Sequence, residues 1–154
     1  MLKRAKFLWA KSVIALIFYV PFSPKSLDGG FEAWKAAGKE IDTIDTIKAD
    51  EFEKRYQANS NLNVLDVRKP SEWEAEHIKG SQNFTLDFIN NIMHEVKRDN
   101  TYYMHCRSGY RSTVAASILK ARGFENLINV QDLFATMAAS SIPTTEYVCP
   151  STLK

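Results

Sequence analysis

The sequence predicts an α/β domain built around a single, mostly parallel sheet with helices on both faces. Segments with strand character alternate with segments of helical periodicity between residues 41 and 130, which is the order expected of a parallel sheet. One of them, Asn63–Arg68, has the apolar character of a strand buried on both faces. The chain of 154 residues is also long enough for one domain with a true core, since such a domain buries roughly 68–70% of its unfolded surface.

Residues 1–26 differ in composition from the rest of the chain. Five of these residues are basic and none is acidic, and the run Val13–Val20 is apolar. This order resembles a secretory signal, but Pro21 and Pro24 stand where the small residues of a cleavage site are expected. The apolar run is also shorter than the about 20 residues that a membrane-spanning helix needs. We expect a cytoplasmic protein, with an export signal or membrane anchor through residues 3–22 as the alternative.

The charge pattern argues against a nucleic-acid-binding protein. The net charge of +2 comes from the five basic residues at the start, since the rest of the chain carries 15 basic and 18 acidic residues. Nucleic-acid binding needs Lys and Arg clustered on one face. Cys106 and Cys149 offer no disulfide framework, and His105 and Cys106, as neighbours on a strand, would point to opposite faces. We therefore expect no metal site and no cofactor.

Hydrophobic periodicity and capping signals predict the individual elements. Residues 27–40 have a Gly-Gly turn and a short helix that ends at Gly38, because glycine suits the position after a helix. Ser71 and Glu74 fit a capping box that begins a helix after Pro70. In chain order, the sequence predicts a short strand at Ile41–Ile44, a helix at Lys48–Gln57, a strand at Asn63–Arg68, the capped helix from Ser71, a strand at Gln82–Thr85, a helix at Asp87–Val96, a strand at 102–106, a helix at 112–122 and a strand at Leu127–Val130.

The junction between the strand 102–106 and the helix 112–122 carries the chemistry of the chain. The strand ends at Cys106, and ligands of open α/β sheets bind at the carboxyl ends of the strands. A thiol at that place faces the N–H groups of the loop and the positive end of the next helix. Comparable settings lower the pKa of a cysteine to about 3.5–7.5. We therefore predict that Cys106 is a nucleophile in sulfur or phosphoryl transfer.

The residues that follow Cys106 suit the binding of an anion. Arg107 and Arg111 can each hold a sulfonate, sulfate or phosphate oxygen through two hydrogen bonds. Gly109 allows the loop to curl so that successive N–H groups converge, and Ser112 is expected to cap the helix. A buried structural cysteine is the alternative, but it does not account for this combination of residues.

The segment Cys106–Ser112 resembles the active-site loop of rhodanese-like sulfurtransferases. Further segments resemble motifs of that family in the same order, with Glu76 where glycine is usual: Asp66–Arg68, Glu72-Trp73, His77–Asn83 and Gly123–Leu127. The resemblance covers residues 41–140. It implies a three-layer α/β domain with a central five-stranded parallel sheet.

The resemblance also implies a covalent mechanism. The Cys106 thiolate would take the outer sulfur of a small-molecule donor such as thiosulfate or a persulfide, and pass it to a thiol or to cyanide. Asp66 and Arg68 match a pair that supports the loop from the neighbouring strand, while Trp73 and His77 are expected to be structural. The implied substrate-binding residues are Arg107, Ser108, Gly109, Tyr110 and Arg111, whose N–H groups stabilise the persulfide and whose two guanidinium groups hold the donor's oxyanion.

Two departures from the family pattern affect the domain organisation. Asp132-Leu133 replaces the usual Gly-Gly before the last helix, a change that we expect to lie outside the chemistry of the loop. Asp28–Trp34 resembles the family's C-terminal signature although it precedes the domain, and a weak echo of it follows 103 residues later. We therefore interpret residues 27–40 as the remnant of a preceding tandem rhodanese unit. The expected organisation is an apolar and basic segment at 1–26, this remnant at 27–40, a rhodanese-like domain at 41–145 and a tail at 146–154.

The tandem hypothesis has consequences for partners. Tandem units of this kind also accompany metallo-β-lactamase-fold hydrolases that handle sulfur compounds, so such a hydrolase is a candidate partner. If Phe31 and Trp34 are exposed, we expect a homodimer or an unstable chain.

Two other functions remain open from the sequence. A rhodanese-fold phosphatase or arsenate reductase would need five residues between cysteine and arginine, whereas four separate Cys106 from Arg111. The sequence also lacks an evident general acid for a leaving alcohol. The other alternative is a non-catalytic module that senses sulfur or binds proteins, and the retention of Cys106 and both arginines argues against it.

Overall fold

Five strands form one sheet in which every strand is parallel to its neighbours. The computed structural model describes residues 27–149 and Thr152. The strands are β1 (Asp45–Ile47), β2 (Asn63–Asp66), β3 (Gln82–Asn83), β4 (Tyr102–His105) and β5 (Leu127–Val130), in the spatial order β1-β5-β4-β2-β3. The predicted fold class is confirmed, and this sheet is parallel throughout rather than mostly parallel.

The helix α1 (Gly30–Ala36) precedes β1 in the chain. The helices that follow β1 cover both faces of the sheet, and they are α2 (Ala49–Ala58), α3 (Pro70–Ala75), α4 (Ile89–Ile92), α5 (Tyr110–Lys120) and α6 (Phe134–Ala138). One apolar core lies against α4 and α5, and a second lies against α2 and α6. Because successive residues of a strand point to opposite faces, Met104 belongs to the first core and Tyr103 to the second. Cys106, which follows β4, lies at the edge of the first core.

Two of the predicted elements have wrong boundaries. The first strand is Asp45–Ile47 rather than Ile41–Ile44, because the chain pairs with β5 only from Asp45 onward. The helix predicted at Asp87–Val96 is reduced to α4 between two 3₁₀ turns, Leu86–Phe88 and Met93–Glu95. Its central residues are Ile and Asn, which have weak helix propensity.

Two predicted helix caps are also wrong. Helix α3 begins at Pro70 with Lys69 as its N-cap, and Glu72 rather than Glu74 accepts a hydrogen bond from the Lys69 N–H at 3.2 Å. Proline is preorganised for the first helical position, so the helix begins two residues before the position that the predicted cap at Ser71 implies. Helix α5 likewise begins at Tyr110, with Gly109 in the N-cap position that Ser112 was predicted to fill.

The segment after α6 returns to the α3 side of the domain. Thr144 forms an isolated antiparallel bridge with Ile78. The Thr145 N–H donates to the carbonyl of His77 at 2.9 Å, and the Val148 N–H donates to the carbonyl of Ala75 at 2.8 Å. The predicted C-terminal tail, 146–154, is therefore hydrogen-bonded to the domain through Val148.

The chain divides into two units between Asp42 and Thr43. In the first unit, helix α1 has no buried residue, and Phe31 and Trp34 are 61% and 45% exposed. The Trp34 indole donates to the carbonyl of Glu40 at 2.9 Å. The predicted signal or anchor in residues 1–26 lies outside the described residues, and the origin of residues 27–40 from a tandem unit stays a prediction. Between residues 27 and 149, we find no helix long and apolar enough to cross a membrane.

Candidate active site

Cys106 lies at the carboxyl end of β4, where the chain turns into the loop before α5. Its residue surface is only 1% exposed, and it is a free thiol. The Gly109 N–H points at its Sγ atom over 3.1 Å, and the Ser112 hydroxyl lies 3.7 Å from the same sulfur. The sequence therefore brings the thiol to the place predicted for it, surrounded by donors of the loop and of the first helical turn.

The donors around Cys106 change its acidity. Burial raises the pKa of the thiol, but the N–H groups of Ser108, Ser112 and Gly109, together with the Ser112 hydroxyl, outweigh burial. The net effect is a pKa below the ordinary value of cysteine. A thiolate is the nucleophilic form of cysteine, so this environment favours the reactive state.

Gly109 shapes the loop through its backbone and through its lack of a side chain. Its φ of 86° lies in the left-handed region, which side chains disfavour. A Cβ at this position would lie 2.8 Å from Cγ and 3.2 Å from Cα of Gln131, the residue after β5. Only glycine therefore allows this turn to pack against β5 while its N–H points at Cys106.

The two arginines of the loop have different surroundings. Arg111 forms a two-pronged ion pair with Glu72 of α3, with N···O distances of 2.6 and 3.0 Å. This pairing raises the pKa of Arg111 and lowers that of Glu72. Arg107 is exposed, and within residues 27–149 its guanidinium has no hydrogen-bond or ion-pair partner. Arg107 is thus the loop arginine that is available to a ligand.

Asp66 and Arg68 form a buried ion pair at the end of β2, beside the loop. The guanidinium of Arg68 donates to both carboxylate oxygens of Asp66 at 2.6–2.9 Å and to the carbonyl of Glu76 at 2.7 Å. It also lies 3.8 Å above the ring centre of Phe134. Since this pair fixes α6 and the end of α3 against β2, it supports the walls of the site.

His105 is a buried residue beside this pair to which the sequence assigns no role. Its ring is fully buried, lies parallel to Phe134 and places Nε2 3.7 Å from Asp66 Oδ2. Neither ring nitrogen has a hydrogen-bond partner. Burial lowers the pKa of His105 although Asp66 opposes that shift, so His105 is neutral at pH 7.

Trp73 and His77 make contacts that stabilise the α3 region. Their rings stack with centres 3.7 Å apart. The Trp73 indole donates to the Ser81 hydroxyl at 3.2 Å, and His77 Nδ1 lies 2.7 Å from the carbonyl of Trp73. Across residues 27–149 and Thr152, no group of three or more His, Cys, Asp or Glu side chains is arranged to hold a metal ion.

A cavity of about 500 Å³ opens next to the loop. It is lined by Arg68, Glu72, Ala75, Glu76, Arg107, Leu133, Phe134, Ala135 and Tyr147. Sequence reasoning placed Leu133 outside the chemistry of the loop and Tyr147 in the tail. Both residues line this cavity, so the segments on either side of α6 contribute to the surroundings of the site. Leu133 and Tyr147 are large apolar residues that are 55% and 66% exposed, as expected of side chains that line an open cavity.

The sequence of this chain is similar to those of known proteins. The sequence profile of the rhodanese-like domain family matches residues 48–133. The putative sulfur carrier protein YrkF of Bacillus subtilis is 34% identical over 88 residues, which cover 57% of this chain and 48% of that protein. The thiosulfate sulfurtransferase GlpE of Pseudoalteromonas translucida is 31% identical over 77 residues, which cover 50% of this chain and 73% of that protein. The match therefore spans about half the length of YrkF.

Solved structures share the fold. The rhodanese-like domain protein from Staphylococcus aureus superimposes with a TM-score of 0.59 and 21% identity, covering 65% of this chain and 97% of that one. At this level of identity, the likeness speaks for the architecture alone.

Proposed function

Because this chain belongs to the rhodanese-like domain family, with relatives named as sulfurtransferases, we propose that it transfers sulfane sulfur through a persulfide on Cys106. The observation that carries the proposal is the thiol's environment. Cys106 follows the central strand β4, its Sγ accepts a hydrogen bond from the Gly109 N–H at 3.1 Å, and its pKa is below the ordinary value. The chemistry that such a thiolate supports is nucleophilic attack on sulfur.

The reaction has two half-reactions that balance without a redox cofactor. The Cys106 thiolate attacks the outer sulfur of thiosulfate, the S–S bond of the donor breaks, and sulfite leaves with the bonding electrons. Cys106 then carries a persulfide. A thiolate or cyanide attacks the outer sulfur of this persulfide, which gives a new persulfide or thiocyanate and restores the thiolate.

Each residue of the loop has a distinct part in this scheme. The N–H groups of Ser108 and Gly109 stabilise the negative charge on sulfur, while Tyr110 begins the helix whose positive end faces it. Arg107 holds the oxyanion of the donor, because its guanidinium is exposed. Arg111 positions the loop through Glu72, so we assign it a supporting role in place of direct contact with the donor.

Mass spectrometry of the intact protein tests this function. After exposure to thiosulfate or glutathione persulfide, we expect the wild-type chain to gain the mass of one sulfur, and to lose it when cyanide is added. Cys106→Ser should gain nothing, while the matched variant Cys149→Ser should behave as wild type. A chain that takes up no sulfur from either donor but hydrolyses an aryl phosphate would contradict the proposal in favour of a phosphatase.

A further inference from the structure

The cavity beside the loop is larger than an inorganic donor requires. Its volume of about 500 Å³ falls within the about 300–1,000 Å³ that sites for small organic molecules typically occupy. Thiosulfate or cyanide would fill only a small part of it. The size therefore indicates a substrate with an organic part.

Two contacts fasten this cavity to the loop that carries Cys106. The N–H of Phe134, on one wall, donates to the carbonyl of Arg107 at 3.0 Å. Glu72, on another wall, holds Arg111 in the two-pronged ion pair. Both ends of the loop are therefore bonded to walls of the cavity, so the cavity directly adjoins the loop that carries Cys106.

Tyr147, in the C-terminal tail, contributes to the cavity wall, and backbone hydrogen bonds hold the chain before and after it. Tyr147 lines the cavity. Before it, the Thr145 N–H donates to His77 at 2.9 Å, and after it, the Val148 N–H donates to Ala75 at 2.8 Å. Tyr147 is therefore presented by a fixed backbone, and its 66% exposed ring has apolar surface left for a ligand.

The charges around the cavity favour an anionic head group at one end. Arg68 is neutralised by Asp66, and Glu72 is neutralised by Arg111. Glu76, at the end of α3, keeps its negative charge and accepts only a long hydrogen bond from the Thr144 hydroxyl at 3.4 Å. Arg107 then remains as the cation that a ligand can pair with, and the apolar surface of Leu133, Ala135 and Tyr147 lies in the same cavity.

We propose that the cavity binds the organic part of the sulfur donor, and that Leu133 and Tyr147 select an anionic organic sulfane-sulfur compound over thiosulfate. This inference rests on the proposed sulfurtransferase function. With an organic thiosulfonate, the Cys106 thiolate attacks the sulfane sulfur, the bond between the donor's two sulfur atoms breaks, and the sulfinate leaves with the bonding electrons. Cys106 keeps the sulfane sulfur as a persulfide.

Thiosulfate and benzenethiosulfonate form a matched pair of probes. Both are anions that carry a sulfane sulfur bonded to an oxidised sulfur, and the second has a phenyl ring in place of one oxygen and one negative charge fewer. With cyanide as acceptor, we expect the full-length protein to have a higher kcat/KM for benzenethiosulfonate. Tyr147→Ala and Leu133→Ala should each lower that kcat/KM by about three- to tenfold, the scale of one lost aromatic or apolar contact, and should leave thiosulfate turnover within about twofold.

Two further variants distinguish the loss of the aromatic contact with the donor from a non-specific loss of activity. Tyr147→Phe keeps the ring and should retain the preference for benzenethiosulfonate. Phe88→Ala removes an aromatic residue that is 57% exposed but does not line the cavity, and it should leave the kcat/KM for both donors unchanged. A wild-type preference for thiosulfate, or a preference that survives both Tyr147→Ala and Leu133→Ala, would overturn the inference while leaving the proposed function intact. Absence of sulfur transfer from either donor would instead overturn the proposed function.

Discussion

The two ends of the Cys106–Ser112 loop carry the same kind of residue but are built differently. At the helix end, Arg111 is locked to Glu72, and Gly109 is packed against Gln131. At the strand end, only the backbone of Arg107 is bonded, to the Phe134 N–H, while its side chain is exposed and borders the cavity. The pattern of two arginines in one short loop suggests that both arginines bind the anionic donor in the same way. The structure instead distinguishes two halves of the loop. We call the helix end, with Gly109 and Arg111, the fastened half, and the strand end, with the Arg107 side chain, the open half.

This difference separates two tasks that one loop must perform. The fastened half holds N–H donors at the thiol, which requires rigid geometry because small displacements weaken hydrogen bonds to sulfur. The open half meets the donor, which requires a charge that none of the described residues already neutralises. The helix end therefore sets the reactivity of Cys106, and the strand end sets recognition. Changes at the two ends should affect different measured quantities.

Gly109→Ala should have the largest effect on activity, because it changes the backbone of the fastened half itself. The new Cβ would lie 2.8 Å from Gln131 Cγ at a φ of 86°, which displaces the N–H that now points at Cys106. We expect the rate of sulfur loading to fall by about a hundredfold, the scale of a small misplacement in an active site.

Gly80→Ala is the matched control for that change. Gly80 has a similar φ of 81°, but a Cβ there meets no atom within 4 Å. Both variants should lose stability in urea unfolding, by about 1–3 kcal/mol for an unfavourable backbone conformation, and only Gly109→Ala should lose activity. Equal activity of the two variants would show that the loop geometry does not set the reactivity of the thiol.

Arg111→Ala should affect the loop through its anchor. The change leaves Glu72 unpaired on α3, and we expect kcat to fall by about tenfold as the loop loses its orientation. Glu72→Gln should give a similar loss, and the double variant should be little worse than either. In a double-mutant cycle on stability, the pair should couple by about 1 kcal/mol, the upper end for partly exposed ion pairs.

The pH dependence of this anchor follows from Glu72. Its pKa in the folded protein is lowered, chiefly by Arg111. A lowered carboxylate pKa contributes stability above the pKa of the unfolded chain, and that contribution is lost as the pH falls through the folded value. The stability difference between wild type and Glu72→Gln should therefore be full at neutral pH and shrink in acid. A difference that persists unchanged in strong acid would contradict the ion pair as its cause.

Arg107→Ala tests the open half and should act on binding alone. With thiosulfate, we expect KM to rise about fivefold because a charge-assisted hydrogen bond is lost, while kcat and the thermal midpoint stay near those of wild type. Arg107→Lys keeps the charge and should recover part of the loss. If Arg107→Ala lowered kcat as Arg111→Ala does, the division of the loop into two halves would be wrong.

The sequence predicts best what is encoded by neighbouring residues. Strands β2, β4 and β5 follow from local apolar runs, and the loop follows from a contiguous motif that ends a strand. The Arg111–Glu72 pair joins residues 39 positions apart, and no local pattern specifies that contact. Tyr147 and Leu133 reach the cavity through the hydrogen bonds of the tail and of α6, which depend on the completed fold.

Helix starts were predicted less well because residue preference alone does not locate them. Ser112 has the side chain of a typical N-cap, but the left-handed turn at Gly109 lets α5 begin earlier. Ser112 therefore lies in the first helical turn, where its hydroxyl faces two acceptors. The distance from its Oγ to the carbonyl of Gly109 is 3.0 Å, and the distance to Cys106 Sγ is 3.7 Å.

Ser112→Ala should have the smallest effect, and it measures how much a single hydroxyl of the fastened half lowers the pKa of Cys106. The single hydroxyl proton is shared between the Gly109 carbonyl and the sulfur, so its removal weakens only one of the donors that lower the pKa of Cys106. The midpoint of iodoacetamide alkylation against pH should move upward, and the rate at pH 7 should fall by about two- to fivefold, as expected for one weak hydrogen bond. Ser117→Ala, on the same helix with its hydroxyl bonded to the Thr113 carbonyl at 2.9 Å, should leave the midpoint unchanged. A downward shift in Ser112→Ala would mean that burial by this side chain outweighs its hydrogen bond.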